Sequence, residues 1–168
     1  KRLIVSVQFY RRLKDTPLKA VWQVAARDTL VNGYNLFLKR NIHAFNDRTL
    51  STPSALSMTC GNLPRMNDLR MTGRSDRTAW NNSLEADGRT AADRLQVVAL
   101  FDQRMYSPVW LKGVQACRGD RKAVIDLEQE NFHQAHLYCF FRSPDGGAFS
   151  ASAYVCVPGN GGQKVPEV

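Results

Sequence analysis

No apolar run in these 168 residues approaches the ~20 residues that cross a bilayer, so a membrane-spanning helix is not expected. The opening Lys1-Arg2-Leu3-Ile4-Val5-Ser6-Val7-Gln8 lacks the apolar core and small-residue cleavage site of a secretory signal. Because the first residue is lysine and not methionine, that lack leaves the compartment open. Cysteines stand at 60, 117, 139 and 156 with no Cys-x-x-Cys pair, and His43, His133 and His136 show no ligand spacing, so neither a metal nor a redox site is expected. There is no Gly-x-Ser-x-Gly elbow to present a serine nucleophile. The glycine-rich stretch Gly159-Asn160-Gly161-Gly162 has no helix behind it to bind a phosphate, and reads as a flexible end. Acid is scarce in one region only. Residues 1 to 48 hold ten Lys or Arg against three Asp, a balance of +7, whereas the remainder balances at +1, so the basic character belongs to the N-terminal third.

What is present is the composition of a folded domain, with 43% hydrophobic and 23% charged residues. The clearest element is Ala135 to Val157. In its first arm Ala135, Leu137, Cys139 and Phe141 alternate with His136, Tyr138, Phe140 and Arg142; in its second Ala151, Ala153, Val155 and Val157 alternate with Ser152, Tyr154 and Cys156. Ser143-Pro144-Asp145-Gly146-Gly147 between them carries the residues of a tight turn, and the two arms form a hairpin. With the apolar faces aligned, Cys139 and Cys156 fall on opposite sides. No disulfide is expected there, and the cysteines read as small hydrophobes.

Upstream the periodicity is helical. Leu3, Val7 and Tyr10 mark a first helix from Leu3 to Lys14, although the branched run Leu3-Ile4-Val5 also suits a strand. Thr16-Pro17 starts a second helix, expected from Pro17 to Val31 with Leu18, Val21, Trp22 and Ala25 on one stripe. Asn32-Gly33 ends it, and Tyr34, Phe37, Leu38, Ile42 and Phe45 mark a third. Residues 47 to 62 are rich in turn formers and read as a linker. From there the pattern is extended: Leu69 to Met71, Arg77 to Asn81, Arg94 to Phe101, Val109 to Ala116, Lys122 to Leu127 and the two arms give the number and spacing of strands found in a β-sandwich.

The block from Leu63 to Pro158 resembles a fibronectin type III domain. The likeness rests on Trp80 in an early strand, the central alternating strand Leu95-Val97-Ala99-Phe101, and a penultimate strand followed by an Asp-Gly turn and a serine-rich last strand. Where that family has a short leucine-to-tyrosine corner, this chain has a longer Glu128 to Gln134 segment before Tyr138. The resemblance implies an immunoglobulin-like sandwich that binds proteins or acts as a spacer. Residues 20 to 45, AVWQVAARDTLVNGYNLFLKRNIHAF, resemble a group of uncharacterised bacterial and prophage-associated proteins that join such a helical segment to a small β-domain. Neither resemblance implies a catalytic residue.

The expected architecture is therefore α+β: a basic three-helix segment over 1–46, a linker over 47–62, an antiparallel immunoglobulin- and fibronectin III-like sandwich over 63–158 with Trp80, Leu95, Val97, Leu137 and Phe141 in its core, and a flexible tail over 159–168. Arg118-Gly119-Asp120 spells an adhesion tripeptide, a match that recurs by chance. Asp126, Glu128 and Glu130 share a face only if a strand continues through them, and read as a polar turn. The expected function is a non-catalytic structural or protein-interaction role of bacterial or prophage type, without cofactor, through Trp22, Tyr34 and Phe37 on the apolar side of the helices. The alternative is nucleic-acid binding through Arg11, Arg12, Lys39 and Arg40, with Tyr10, Trp22 and Tyr34 stacking on bases.

Overall fold

The computed structural model describes residues 1–72, 76–82, 88–128 and 131–159; Glu130 and the expected tail beyond Gly159 lie outside them. Three helices, α1 (Arg2–Leu13), α2 (Leu18–Ala26) and α3 (Gly33–Asn41), precede strands β1 (Met66–Met71), β2 (Arg77–Asn82), β3 (Arg94–Phe101), β4 (Val109–Trp110), β5 (Lys122–Val124), β6 (Gln134–Arg142) and β7 (Ala153–Pro158). The strands form two antiparallel sheets, ordered β1-β2-β5 and β4-β3-β6-β7. The chain is thus α+β, helices first.

Residues 3 to 13 of the expected Leu3–Lys14 segment are helix and not strand, but the buried stripe is not the expected Leu3, Val7, Tyr10. Val5, Phe9 and Leu13, at strict i, i+4 spacing, point inward with Tyr10, while Leu3 and Ile4 stand in solvent. The stripe with Phe9 and Leu13 offers the larger apolar volume to bury, which decides the rotation. Thr16 starts α2 by accepting from the Leu18 amide at 3.2 Å. That helix ends at Ala26, five residues before the expected Val31, where the Thr29 hydroxyl donates to the Ala26 carbonyl at 2.8 Å. Asn32 caps α3 by accepting from the Asn35 amide at 2.8 Å. Its neighbour Gly33 lies against the α2 backbone, where a Cβ would meet the Trp22 carbonyl at 3.0 Å. The Asn-Gly pair thus both starts α3 and lets it close on α2.

The four-stranded sheet is apolar on both faces, and that property arranges the molecule. One face, with Leu95, Val97, Ala99, Leu137, Cys139 and Phe141, packs on Met66, Trp80 and Ile125 of the three-stranded side. The other, with Val98, Leu100, Tyr138 and Phe140, packs on Phe9, Trp22 and Phe37 of the helices. The result is three layers: helices, four-stranded sheet, three-stranded sheet. Leu50, Leu56 and Met58, from the stretch expected as a linker, are buried in the helix-side cluster. Polar bonds fix them there: the Trp22 indole donates to the Met58 carbonyl at 3.0 Å, Asn41 exchanges two bonds with the Ser57 backbone, and the Tyr138 hydroxyl donates to the Pro53 carbonyl at 2.8 Å.

The hairpin pairs Ala135 with Val157, Leu137 with Val155 and Cys139 with Ala153. Its turn uses Gly146 at φ +79° and Asp145, whose carboxylate accepts from the Gly147 amide and the Ser143 hydroxyl. Cys156 lies opposite His136, so Cys139 and Cys156 leave the sheet from opposite faces, and all four cysteines are free. Two strands are shorter than expected. The Val109–Ala116 segment is strand only at Val109–Trp110, because Ala116 turns back to accept from the Leu95 amide at 2.8 Å and Cys117 bridges to Arg94. The Lys122–Leu127 segment is paired strand only over Lys122–Val124.

Candidate interaction surfaces

The residues singled out for partner binding separate by chemistry. Trp22 and Phe37 are fully enclosed, their rings edge-on at 5.2 Å, and face the sheet and not a partner. The apolar helix faces are consumed inside the molecule because the outer face of the four-stranded sheet needs the same cover. Tyr10 is buried as well, and Tyr34, half-exposed, sits edge-on to it at 5.3 Å along the seam of α1 and α3. Of the aromatics proposed to stack on bases, only Tyr34 reaches solvent. The cations behave differently. All ten Lys and Arg of residues 1 to 48 are exposed. Arg11 and Arg12 border a shallow cavity of about 430 Å³ with Gln8 and Tyr106; Lys39 and Arg40, in the last turn of α3, do not line it.

The adhesion tripeptide is closed. Arg118 is 1% exposed, its guanidinium bonded to the Asp93 carboxylate at 3.0 and 3.2 Å and stacked 4.0 Å above the Phe141 ring. Asp120 turns back to accept from the Cys117 amide at 2.8 Å. A ligand that needs the arginine tip cannot reach it. Asp126 and Glu128 close a turn: Asp126 accepts from the Glu128 amide, and Glu128, at φ 58°, accepts from the Lys112 amide. Among the described residues no group of three His, Cys, Asp or Glu could hold a metal ion.

One titratable cluster lies on the helix side of β6 and β7. His136 Nδ1 is 2.6 Å from the Tyr154 hydroxyl, with Cys156 across the ladder from His136. The two groups share one hydrogen bond, donated by the hydroxyl when the imidazole is neutral with its proton on Nε2 and by Nδ1 when the proton is there. Burial lowers the His136 pKa below its ordinary 6.5, against a smaller opposing pull from Asp102, and burial raises that of Tyr154. A histidine that titrates lower when folded binds fewer protons than the unfolded chain just below pH 6.5. Stability from this group is therefore complete above that value and falls as the pH drops towards the folded pKa. We expect His136→Gln to flatten this part of a melting-temperature profile measured between about pH 7 and pH 5; an unchanged acid slope would refute the assignment.

A concavity of about 640 Å³ is one that sequence reasoning missed. It lies between β5, through Lys122, Ala123, Val124 and Asp126, and the returning segment at Gly113, Gln115 and Ala116. Thr78 borders it, 1% exposed, with a hydroxyl that has no hydrogen-bond partner among the described residues. The only signal in the sequence is the alternation of Lys122, Val124 and Asp126 with Ala123 and Ile125, which marks one wet and one dry face.

Compared with models of known protein families, with curated proteins and with solved structures, the chain finds no match. No helix among the described residues is long and apolar enough to cross a membrane.

Proposed function

We propose that the chain is a non-catalytic structural or protein-interaction module, a fibronectin type III-like sandwich with a helical layer on one side. The observation that carries this reading is the strand order. Strands one, two and five in one sheet, facing four, three, six and seven in the other, follow the arrangement of immunoglobulin-class sandwiches that carry an extra edge strand. Trp80 and Phe141 meet edge-on at 5.8 Å between the sheets; a buried tryptophan is a feature of such cores, on the third strand in antibody domains and here on the second. Two features depart from that pattern: Tyr138 bonds to Pro53 on the helix side and forms no tyrosine corner, and the face beyond the second sheet is sealed by helices. Sandwiches of this kind serve many roles, protein binding and spacing among them. The bacterial or prophage setting rests on the resemblance of residues 20 to 45 alone.

A second reading is favoured by one observation, the ten exposed cations of the helical third. A surface of that kind attracts nucleic acid through phosphate contacts, and such binding falls steeply with salt, by a log–log slope of about −0.9 per phosphate neutralised. The two readings separate in one experiment: DNA and RNA retardation at about 50 and 200 mM salt, with and without Arg11, Arg12, Lys39 and Arg40 changed to Glu, beside light-scattering mass. The interaction reading expects association that survives the higher salt and no retardation that depends on the four cations. A monomer whose retardation at about 50 mM salt falls steeply at 200 mM, and is abolished by the four changes, would replace that reading with the nucleic-acid one.

A further inference from the structure

We propose that the free edge of β5 pairs antiparallel with β5 of a second copy of this chain, in a register that sets Lys122 against the second copy's Asp126 and Val124 against its own equivalent. This rests on the interaction reading above and names its partner.

The backbone geometry selects the residues. In the β2–β5 ladder Thr78 faces Ala123; beyond it the Trp80 amide donates to the Arg121 carbonyl at 3.1 Å and the Ile125 amide to the Asp76 carbonyl at 2.6 Å. Arg121, Ala123 and Ile125 therefore spend their N–H and C=O groups on β2. In an antiparallel strand the intervening residues turn theirs the other way. Lys122, Val124 and Asp126 thus present a row of donors and acceptors outward, and no bond from the described residues is seen to reach Lys122 or Val124.

The side chains give the register. Exposure alternates from Lys122 to Asp126, with Ile125 in the core and Lys122, Val124 and Asp126 outside. Val124 is 62% exposed, a branched apolar side chain in the middle of an open edge. Such edges are ordinarily guarded by a lysine, which repels a neighbouring strand unless that strand supplies an acid opposite it. Here the strand supplies its own. A two-fold axis through Val124 brings the two valines together and places Lys122 beside Asp126 of the second copy, twice over. All three outward-bonding residues then meet outward-bonding partners, as the ladder requires. A register moved by one residue would pair the outward groups with spent ones.

Space and competing edges point the same way. Among the described residues β2 is the one strand paired with β5, and the 640 Å³ concavity that borders Lys122 to Asp126, walled opposite by Gly113, Gln115 and Ala116, keeps solvent against the strand. The other edge of that sheet, β1, is broken by a register shift between Asn67 and Arg70, with Asp68 at φ 52°, a bulge that discourages addition. In the four-stranded sheet, β4 is two residues long and β7 ends in Pro158.

The test is a charge exchange read by sedimentation velocity from about 5 to 200 μM, the range suited to a small, reversible contact. Lys122→Asp sets acid against acid, and Asp126→Lys base against base; each is expected to weaken dimerisation at least about tenfold. The double variant Lys122→Asp/Asp126→Lys, and an equimolar mixture of the two single variants, restore opposite charges and are expected to recover the dimer. Melting curves of all variants separate a lost contact from a lost fold, since both side chains are exposed, and the double variant carries both changes. A wild-type chain monomeric throughout the range would overturn the proposal. So would a dimer indifferent to the reversals, although that dimer would leave the broader interaction reading standing on another surface. A monomer that also retards nucleic acid in the salt-sensitive way described above, through Arg11, Arg12, Lys39 and Arg40, would remove both.

Discussion

Asp93→Ala is expected to destabilise the fold by about 3–5 kcal/mol, because it leaves the Arg118 guanidinium as an uncompensated buried charge. The pair is closed on every side that matters: Asp93 is 3% and Arg118 1% exposed, two guanidinium nitrogens reach one carboxylate oxygen, and the Arg118 amide bonds to the Asp93 carbonyl at 2.7 Å. One nitrogen of the guanidinium, Nη1, has no partner among the described residues, so these offer no reserve of acceptors to replace the carboxylate. The double change Asp93→Asn/Arg118→Met removes both charges and keeps most of the volume over Phe141. Its cost should fall well below that of Asp93→Ala, since replacing a buried pair is often near neutral where halving it is not. Urea unfolding of the three proteins decides the matter. An Asp93→Ala midpoint within error of wild type would mean that the pair is solvated in solution, and would reopen Arg118-Gly119-Asp120 as an accessible loop.

This pair also marks where sequence reading stopped. The elements that could be read were those whose pattern is local: β3 and β6, where apolar residues recur every second position, the Ser143–Gly147 turn, the start signal at Thr16, and the break between helices at Asn32-Gly33. Asp93 and Arg118 lie 25 residues apart on either side of β4, and no periodicity links them. The stacking of the three layers had a signal that was visible but ambiguous. In β6 the second face, His136, Tyr138 and Phe140, is nearly as apolar as the first, and Val98 and Leu100 do the same in β3. A strand apolar on both faces is one covered on both. That could have assigned the helices to the sheet and withdrawn Trp22 and Phe37 from a partner. The β5 edge was harder, because Lys122, Val124 and Asp126 look like any wet strand face until the ladder shows which backbone groups are already spent.

The layer assignment makes the second large prediction. Trp22→Ala is expected to cost about 3–5 kcal/mol, the range for removing a large buried aromatic, a substantial part of the ~5–15 kcal/mol that holds a typical domain. Trp22 touches Phe37 on α3 and holds Met58 of the connector through its indole N–H, so its removal loosens all the cover that β3 and β6 have on that side. If helices and sheets unfold together, far-UV dichroism and the fluorescence of Trp80, buried between the sheets and isolated in a Trp110→Phe background, will shift to the same lower urea midpoint. Two separated transitions, with Trp80 unmoved, would mean that the sandwich holds without its helical layer. The direct counterpart is a fragment of residues 63–158. It bares Val98, Leu100, Tyr138 and Phe140 as one contiguous apolar face, the kind of patch that drives association. We expect that fragment to aggregate, and to be rescued in part by Val98→Thr together with Phe140→Ser, which wet that face and leave the alternate residues Val97, Ala99, Cys139 and Phe141 in the inter-sheet core. A monomeric fragment with a cooperative melt and no such changes would refute the shared core.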